Sequence, residues 1–178
     1  MRILFIGVQG SGKSTQAEIF AKKLNVPHIQ SGQLVRHEAE KDTPIGQQAR
    51  DLIEHGLLAP DNLVAELVKE RLSQPDTQKG FVLDGYPRHK KQSDVFMPKL
   101  DMVINLVLPR DEAIKRLLLR KREDDTPEAI KTRLDTFYRL TSPLIEEFRS
   151  KHILRDIDGT PDIETVTKLI EKEIYDKN

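Results

Sequence analysis

The chain of 178 residues has no cysteine. That excludes disulfides, thiolate nucleophiles and cysteine-ligated zinc together. It has no excess charge of either sign: 29 Lys and Arg balance 29 Asp and Glu. A bulk polyelectrolyte partner such as nucleic acid is therefore not expected, although a local cluster of cations is still allowed. It has no long apolar run. No stretch approaches the ~20 apolar residues of a bilayer-spanning helix, so no membrane partner is expected. The apolar run at residues 3–6 is too short for a signal peptide, and a glycine loop follows it rather than a small-residue cleavage site. A cytoplasmic protein is expected. What remains is an ordinary globular composition, 33% charged and 37% apolar. It is long enough for one domain, 1–178, with a real core.

Short apolar runs bounded by turn residues read as buried strands at 2–6, 81–83, 102–108 and 152–155. Helical spacing predicts helices over 13–24, 31–41, 44–55, 61–72, 111–120 and 162–175. Asp61, after Pro60, is placed to cap the helix it opens. Thr126-Pro127-Glu128 is an N-cap, a first-turn proline and a first-turn acid. The helix starting there is predicted to run unbroken to about Phe148. Strands alternating with helices predict an α/β fold, a parallel sheet with helices on both faces.

Gly7-Val8-Gln9-Gly10-Ser11-Gly12-Lys13-Ser14-Thr15 lies between the first strand and the first helix. Gly-x4-Gly-Lys-Ser/Thr in that context is a phosphate-binding loop. Glycines let backbone N–H groups turn inward onto phosphate oxygens. The N-terminus of the following helix adds its dipole and unpaired donors. Gly10, Ser11, Gly12, Lys13, Ser14 and Thr15 are the candidate triphosphate ligands. Lys13 can reach the β and γ phosphates, and a hydroxyl, Ser14 or Thr15, can meet Mg²⁺.

A second cluster follows at Phe81-Val82-Leu83-Asp84-Gly85-Tyr86-Pro87-Arg88 with Gln92. It puts an acid at the carboxyl end of a buried strand, the edge where open α/β sheets bind ligands. Asp84 can hold metal-bound water there. Arg88 offers a fork donor suited to phosphate. Gln92, one helical turn on, offers an amide donor and acceptor able to read a base edge. The histidines at 28, 37, 55, 89 and 152 have no metal-ligand spacing and read as structural or surface residues. Phe137 and Tyr138 read as helix core and boundary.

With these segments in view, the chain closely resembles the adenylate kinases, within the nucleoside monophosphate kinases, nearly end to end. Asp84-Gly85-Tyr86-Pro87-Arg88 with Gln92 carries the most specific part of the likeness. His28-Ile29-Gln30-Ser31-Gly32-Gln33-Leu34-Val35-Arg36, Gly56-Leu57-Leu58-Ala59-Pro60-Asp61 and Asp158-Gly159-Thr160 carry the rest. The resemblance implies a P-loop kinase of three layers, α/β/α, around a five-stranded parallel sheet. Its core would span 1–29, 60–120 and 126–178, with a small mobile helical NMP-binding subdomain at 30–59 and a minimal lid joint at 121–125. It implies Mg²⁺-dependent, direct in-line transfer, ATP + AMP ⇌ 2 ADP, in a monomer. Ser31 would bond the acceptor base, and Arg36 and Arg88 would hold the AMP phosphate beside Gly85. The Ala59 backbone would touch the adenine with Leu58 packed beside it. Gln92 would favour AMP over UMP or CMP. The turn ending at Pro161 would lie beside the donor adenine.

Transfer between two nucleotides gathers negative charge, and arginines should answer it. By the same resemblance, Arg122 and Arg133 contact the transferred phosphate and act in catalysis with Lys13, Asp84 and Arg88. Arg116 and Arg120 sit near ATP, and Asp124 or Asp125 either orients Arg122 or helps hinge the lid. The chain departs from the family pattern in four places. Only Lys121 separates Arg120 from Arg122, where long-lid members carry a β-rich insert that sometimes binds zinc, so no zinc is expected. Ser14 replaces a glycine, and family register implies that Thr15 rather than Ser14 faces the metal; Gln33 replaces an aspartate, and Ser31 a threonine. Two other readings share these residues: a kinase for another monophosphate (UMP, CMP or dAMP), and a regulatory module that binds ATP and AMP without turnover.

Overall fold

The computed structural model describes residues 1–54, 57, 59–120 and 126–175. Five strands pair in parallel: β1 (Arg2–Gly7), β2 (His28–Gln30), β3 (Phe81–Asp84), β4 (Met102–Val107) and β5 (Leu154–Asp158). Their order across the sheet is β2-β3-β1-β4-β5. The helices are α1 (Lys13–Leu24), α2 (Ser31–Ala39), α3 (Pro44–Glu54), α4 (Asp61–Leu72), α5 (Lys90–Val95), α6 (Arg110–Arg120), α7 (Pro127–Thr136), α8 (Ser142–Ser150) and α9 (Ile163–Tyr175).

Successive side chains of a strand point to opposite faces, and the core divides accordingly. Ile3 and Phe5 of β1, with Val82, Met102 and Ile104, pack against Ala17 and Phe20 of α1 and Val166, Ile170 and Ile174 of α9. Leu4 and Ile6, with Leu83 and Val103, pack against Val68 of α4 and Leu144 and Phe148 of α8. The result is the α/β/α sandwich expected of a P-loop kinase. Val35, Ala39 and Ala49 of α2 and α3 join the second cluster, which ties the 30–54 region to the sheet.

Four details depart from the pattern-based expectation. β2 carries no apolar run: of His28, Ile29 and Gln30, only Ile29 is buried. β5 runs over Leu154–Asp158 rather than 152–155, because this edge strand interleaves Arg155, Asp156 and Asp158 with its apolar residues. The helix predicted to reach Phe148 is divided. α7 ends at Thr136, a π-helical turn spans Phe137–Thr141, and α8 begins at Ser142 with Pro143 in its first turn. A proline inside a continuous α-helix would lose one hydrogen bond and clash with the preceding turn, and the wider turn absorbs that conflict. Tyr138, placed there as boundary, is exposed, with Arg110 over its ring. Asp61 is the first residue of α4 but does not cap it; its carboxylate lies 3.0 Å from Nε2 of the buried His89.

Candidate active site

The sheet order brings three chain segments to one edge. β1 runs into the glycine loop, β3 ends at Asp84, and β2 ends at Gln30 just before Ser31. The register pairs Phe5 with Asp84 and Asp84 with Gln30, so all three carboxyl ends lie side by side. β2 and β3 are laid down on one side of β1 and β4 and β5 on the other, which makes the edge beside β1 the switch point where α/β sheets bind ligands.

The loop's shape is set by close packing. Gly10 has φ +87, and a Cβ there would stand 3.2 Å from the Ala113 carbonyl and 3.3 Å from Leu117 of α6. Only glycine lets the loop lie this close to α6 with a left-handed backbone. Gly12 precedes α1 and no side chain caps that helix. The start of α1 therefore turns amide donors and the positive end of the helix dipole toward the loop, the arrangement that favours an anion. Ser11 is buried, and its Oγ has no hydrogen-bond partner among the described residues. Lys13 is the first residue of α1 and partly buried.

Ser14 and Thr15 are both exposed at the start of α1. Ser14 Oγ donates to Asp84 Oδ2 at 2.5 Å, across 70 residues of chain. A hydroxyl and a carboxylate side by side are hard oxygen donors of the kind Mg²⁺ takes. Arg116 of α6 is anchored by Glu112 at 3.0 Å and donates to the carbonyls of Gly159 (2.8 Å) and Thr160 (2.7 Å). It thereby fixes the turn before Pro161, which is partly buried. That turn touches the loop: a Cβ on Gly159 would stand 3.3 Å from the Ser11 carbonyl. Arg120 is exposed at the end of α6, and Arg133 is partly buried on α7. Arg122, with the rest of 121–125, lies outside the described residues, as does Leu58.

On the other side, Ser31 is buried and donates to the Gly85 carbonyl at 2.8 Å. Gly85 has φ +83, and a Cβ there would meet Ser31 Oγ at 3.0 Å and Arg88 Nη2 at 3.4 Å. A Cβ on Gly32 would lie 3.6 Å from Arg36 and 3.8 Å from Arg88, so both guanidinium groups border this one residue. Burial pushes the Arg88 guanidinium below its ordinary value; Asp84 works against that shift and the neighbouring charge of Arg36 adds to it. Two like charges held together this way are a ready receptor for a phosphate dianion. Ala59 is partly buried and packs on the main core.

Gln92 reaches Arg88 by a different route from the expected helical turn. α5 begins only at Lys90, with His89 extended before it, so Arg88 and Gln92 share no helical face. Instead Gln92 Oε1 accepts the Arg88 backbone N–H at 2.8 Å. Beneath them, burial and the nearby Asp61 push the Tyr86 hydroxyl up to about 12. It stays protonated and donates to the carbonyls of Gln92 and Phe96. Sequence reasoning missed Thr141, whose Oγ1 donates to the Arg88 carbonyl at 2.6 Å. Nothing in the spacing around Thr141 signals this; the fold alone brings it there.

A glycine loop at a helix N-terminus, an acid beside it and paired arginines across the same sheet edge define a P-loop kinase. The adenylate kinase family pattern matches residues 5–153. The chain is 41% identical over 186 residues to an adenylate kinase of Trichodesmium erythraeum, covering 98% of this chain and 97% of that one. It is 36% identical to one of Archaeoglobus fulgidus, with 96% of each covered, and 38% identical to one of Leptospira biflexa, covering 97% and 99%. The chain belongs to the adenylate kinase family.

Proposed function

We infer that the chain is a phosphotransferase that interconverts ATP and AMP with two ADP, and we assign its residues as follows. The observation that carries the assignment is the sheet edge itself. The glycine loop with Ser14–Asp84 lies on one side of it, and Arg36 and Arg88 converge around Gly32 on the other. ATP lies along the loop, its phosphates on the α1 amides and Lys13, with Gly10, Ser11 and Gly12 beneath them. Its adenine lies toward the turn that Arg116 fixes, beside Pro161, with Arg120 nearby. The AMP phosphate sits on Arg36 and Arg88. Its base faces Ser31, Gly85, Ala59, Leu58 and Gln92.

An AMP phosphate oxygen attacks the γ-phosphorus in line. The new P–O bond forms as the bond to the β–γ bridging oxygen breaks, and ADP leaves on each side. Lys13, Arg88, Arg122 and Arg133 offset the charge spread over the transferred group. A Mg²⁺ bound at the phosphates neutralises charge on their oxygens. Ser14 is favoured over Thr15 as the hydroxyl facing it, because Ser14 is the one joined to Asp84. The second cation-side acid lost at Gln33 leaves this role to Asp84. We further propose that 30–59 closes over AMP, that 121–125 is a minimal lid joint, and that the protein is a cytoplasmic monomer, since its motifs complete one site within one chain.

The test is ADP formation from ATP and Mg²⁺ with AMP, dAMP, GMP, CMP, UMP or no acceptor. A rate with AMP far above the others supports the whole assignment. A preference for CMP or UMP overturns the base pocket, and no transfer to any acceptor overturns the enzyme reading.

A further inference from the structure

Arg88 is fastened at three points. Its backbone N–H is taken by Gln92 Oε1 at 2.8 Å, and its Nε donates to the Gly85 carbonyl at 2.9 Å. Both partners lie within four residues, so the loop supplies them itself. The third comes from 53 residues away: Thr141 Oγ1 donates to the Arg88 carbonyl at 2.6 Å. Thr141 is only 6% exposed, so its hydroxyl has little access to water as a substitute partner.

The position of Thr141 in the chain gives this bond its meaning. It closes the π-helical turn Phe137–Thr141 that joins α7 to α8. π-Helical turns interrupt an α-helix at an energetic cost and recur at functional sites. Upstream, α7 carries Arg133, and its buried Leu134 packs with Val8 of the glycine loop and Leu117 of α6. Downstream, Leu144 of α8 packs with Leu4, Leu83 and Tyr86. Phe137 touches both clusters. The turn is thus held between the donor-side and the acceptor-side packing, and its one buried hydroxyl is spent on Arg88.

We propose that Thr141 is a positioning residue for phosphoryl transfer. It ties the backbone of the arginine that holds the acceptor phosphate to the turn that directly follows the helix bearing Arg133, so the two arginines approach the transferred group in fixed register. This rests on the phosphotransferase reading above.

The test compares Thr141→Val, Thr141→Ser and the control Thr77→Val. Thr77 is likewise 6% exposed and donates to backbone carbonyls, at Leu72 and Gln74, away from the site. Thermal stability, kcat, and KM for ATP and for AMP are measured for each. Thr141→Val keeps the side-chain shape and leaves the Arg88 carbonyl unpaired. Its kcat/KM for AMP is expected to fall about ten-fold while KM for ATP stays within about two-fold. Thr141→Ser is expected to restore wild-type values, and Thr77→Val to lose stability with unchanged KM for AMP. Unchanged AMP kinetics in Thr141→Val, an equal rise in both KM values, or the same AMP defect in Thr77→Val would overturn the proposal. Wild-type protein that transfers to no monophosphate would overturn the phosphotransferase reading instead, and this inference with it.

Discussion

Replacing Gly85 by alanine tests the acceptor side of the site directly. Gly85 has φ +83, where an L side chain costs about 1–2 kcal/mol. The added Cβ would stand 3.0 Å from Ser31 Oγ and 3.4 Å from Arg88 Nη2, tighter than ordinary contacts. Ser31 is itself bonded to the Gly85 carbonyl and buried, so it has little room to yield. Overpacking of this kind adds about 1–2 kcal/mol. The expected loss of stability is therefore about 2–4 kcal/mol, or about 4–16 °C in Tm for a chain of this size. The kinetic effect should be one-sided. Arg88 must shift by a few tenths of an ångström, and kcat/KM for AMP should fall about 10- to 100-fold while KM for ATP changes little. Gly80→Ala is the matched control. Gly80 also has a left-handed backbone, φ +140, and its Cβ would overlap the Met1 main chain, far from the acceptor residues. It should lower Tm and leave AMP kinetics intact. The assays are thermal denaturation and a coupled ADP assay with each substrate varied. A Gly85→Ala enzyme with wild-type KM for AMP, or a Gly80→Ala enzyme sharing its AMP defect, would refute the reasoning.

Three further outcomes follow from the geometry. Ser14→Ala should weaken Mn²⁺ binding in the presence of ATP several-fold more than Thr15→Ala does, read by electron paramagnetic resonance; equal effects would return the metal-side hydroxyl to an open question. Arg116→Ala removes the donors to the Gly159 and Thr160 carbonyls, so KM for ATP should rise about ten-fold with KM for AMP unchanged in steady-state kinetics. His28 is held below its ordinary value of 6.5, chiefly by burial, with Asp84 and Glu18 working in the opposite direction. Below pH 6.5 the unfolded imidazole takes up a proton that the native one still refuses, so this group's contribution to stability falls with acid until the native value is passed. His28→Gln should flatten that part of the stability profile in urea titrations from about pH 7 to pH 5.

The motifs legible in the sequence are those whose partners are near in the chain. Gly7 to Thr15 carries its own strand and helix, and Asp84 to Gln92 its own strand end, so short-range patterns were enough. The contacts that complete the site join distant segments: Ser14 to Asp84, Thr141 to Arg88, Arg116 to the 159–160 turn, His89 to Asp61. No local pattern encodes these, because the strand order β2-β3-β1-β4-β5 creates them. The same contrast explains the missed elements. β2 is a strand because β3 offers it a free edge, with a single buried side chain of its own. The division of α7 from α8 was signalled by Pro143, but helical spacing on both sides of it masked the break. Gln92 shows a subtler limit. Its nearness to Arg88 was anticipated, yet the link is a side-chain bond to the backbone rather than a shared helical face.

The balanced charge of the whole chain hides how unevenly the fold distributes it. Many of the cations among the described residues sit in surface pairs, such as Lys22 with Glu18, Arg71 with Asp76 and Lys168 with Glu164. Exposed pairs of this kind contribute little each. Arg88 is arranged otherwise: it has Arg36 as a neighbouring like charge, and its own burial makes that proximity more costly. An arrangement that raises the energy of the empty protein persists only if surrounding structure over-determines it. Here the constraints are visible. Gln92, Gly85 and Thr141 fix Arg88 from three sides, and Asp84 lowers its cost while also taking the Ser14 hydroxyl. Asp84 therefore stands between the two halves of the site. Its charge holds the acceptor arginine in its buried place, and its second contact orders the hydroxyl beside the triphosphate loop. That double contact joins the loop side to the Arg88 side, so the two halves of the proposed site meet at β1 and β3.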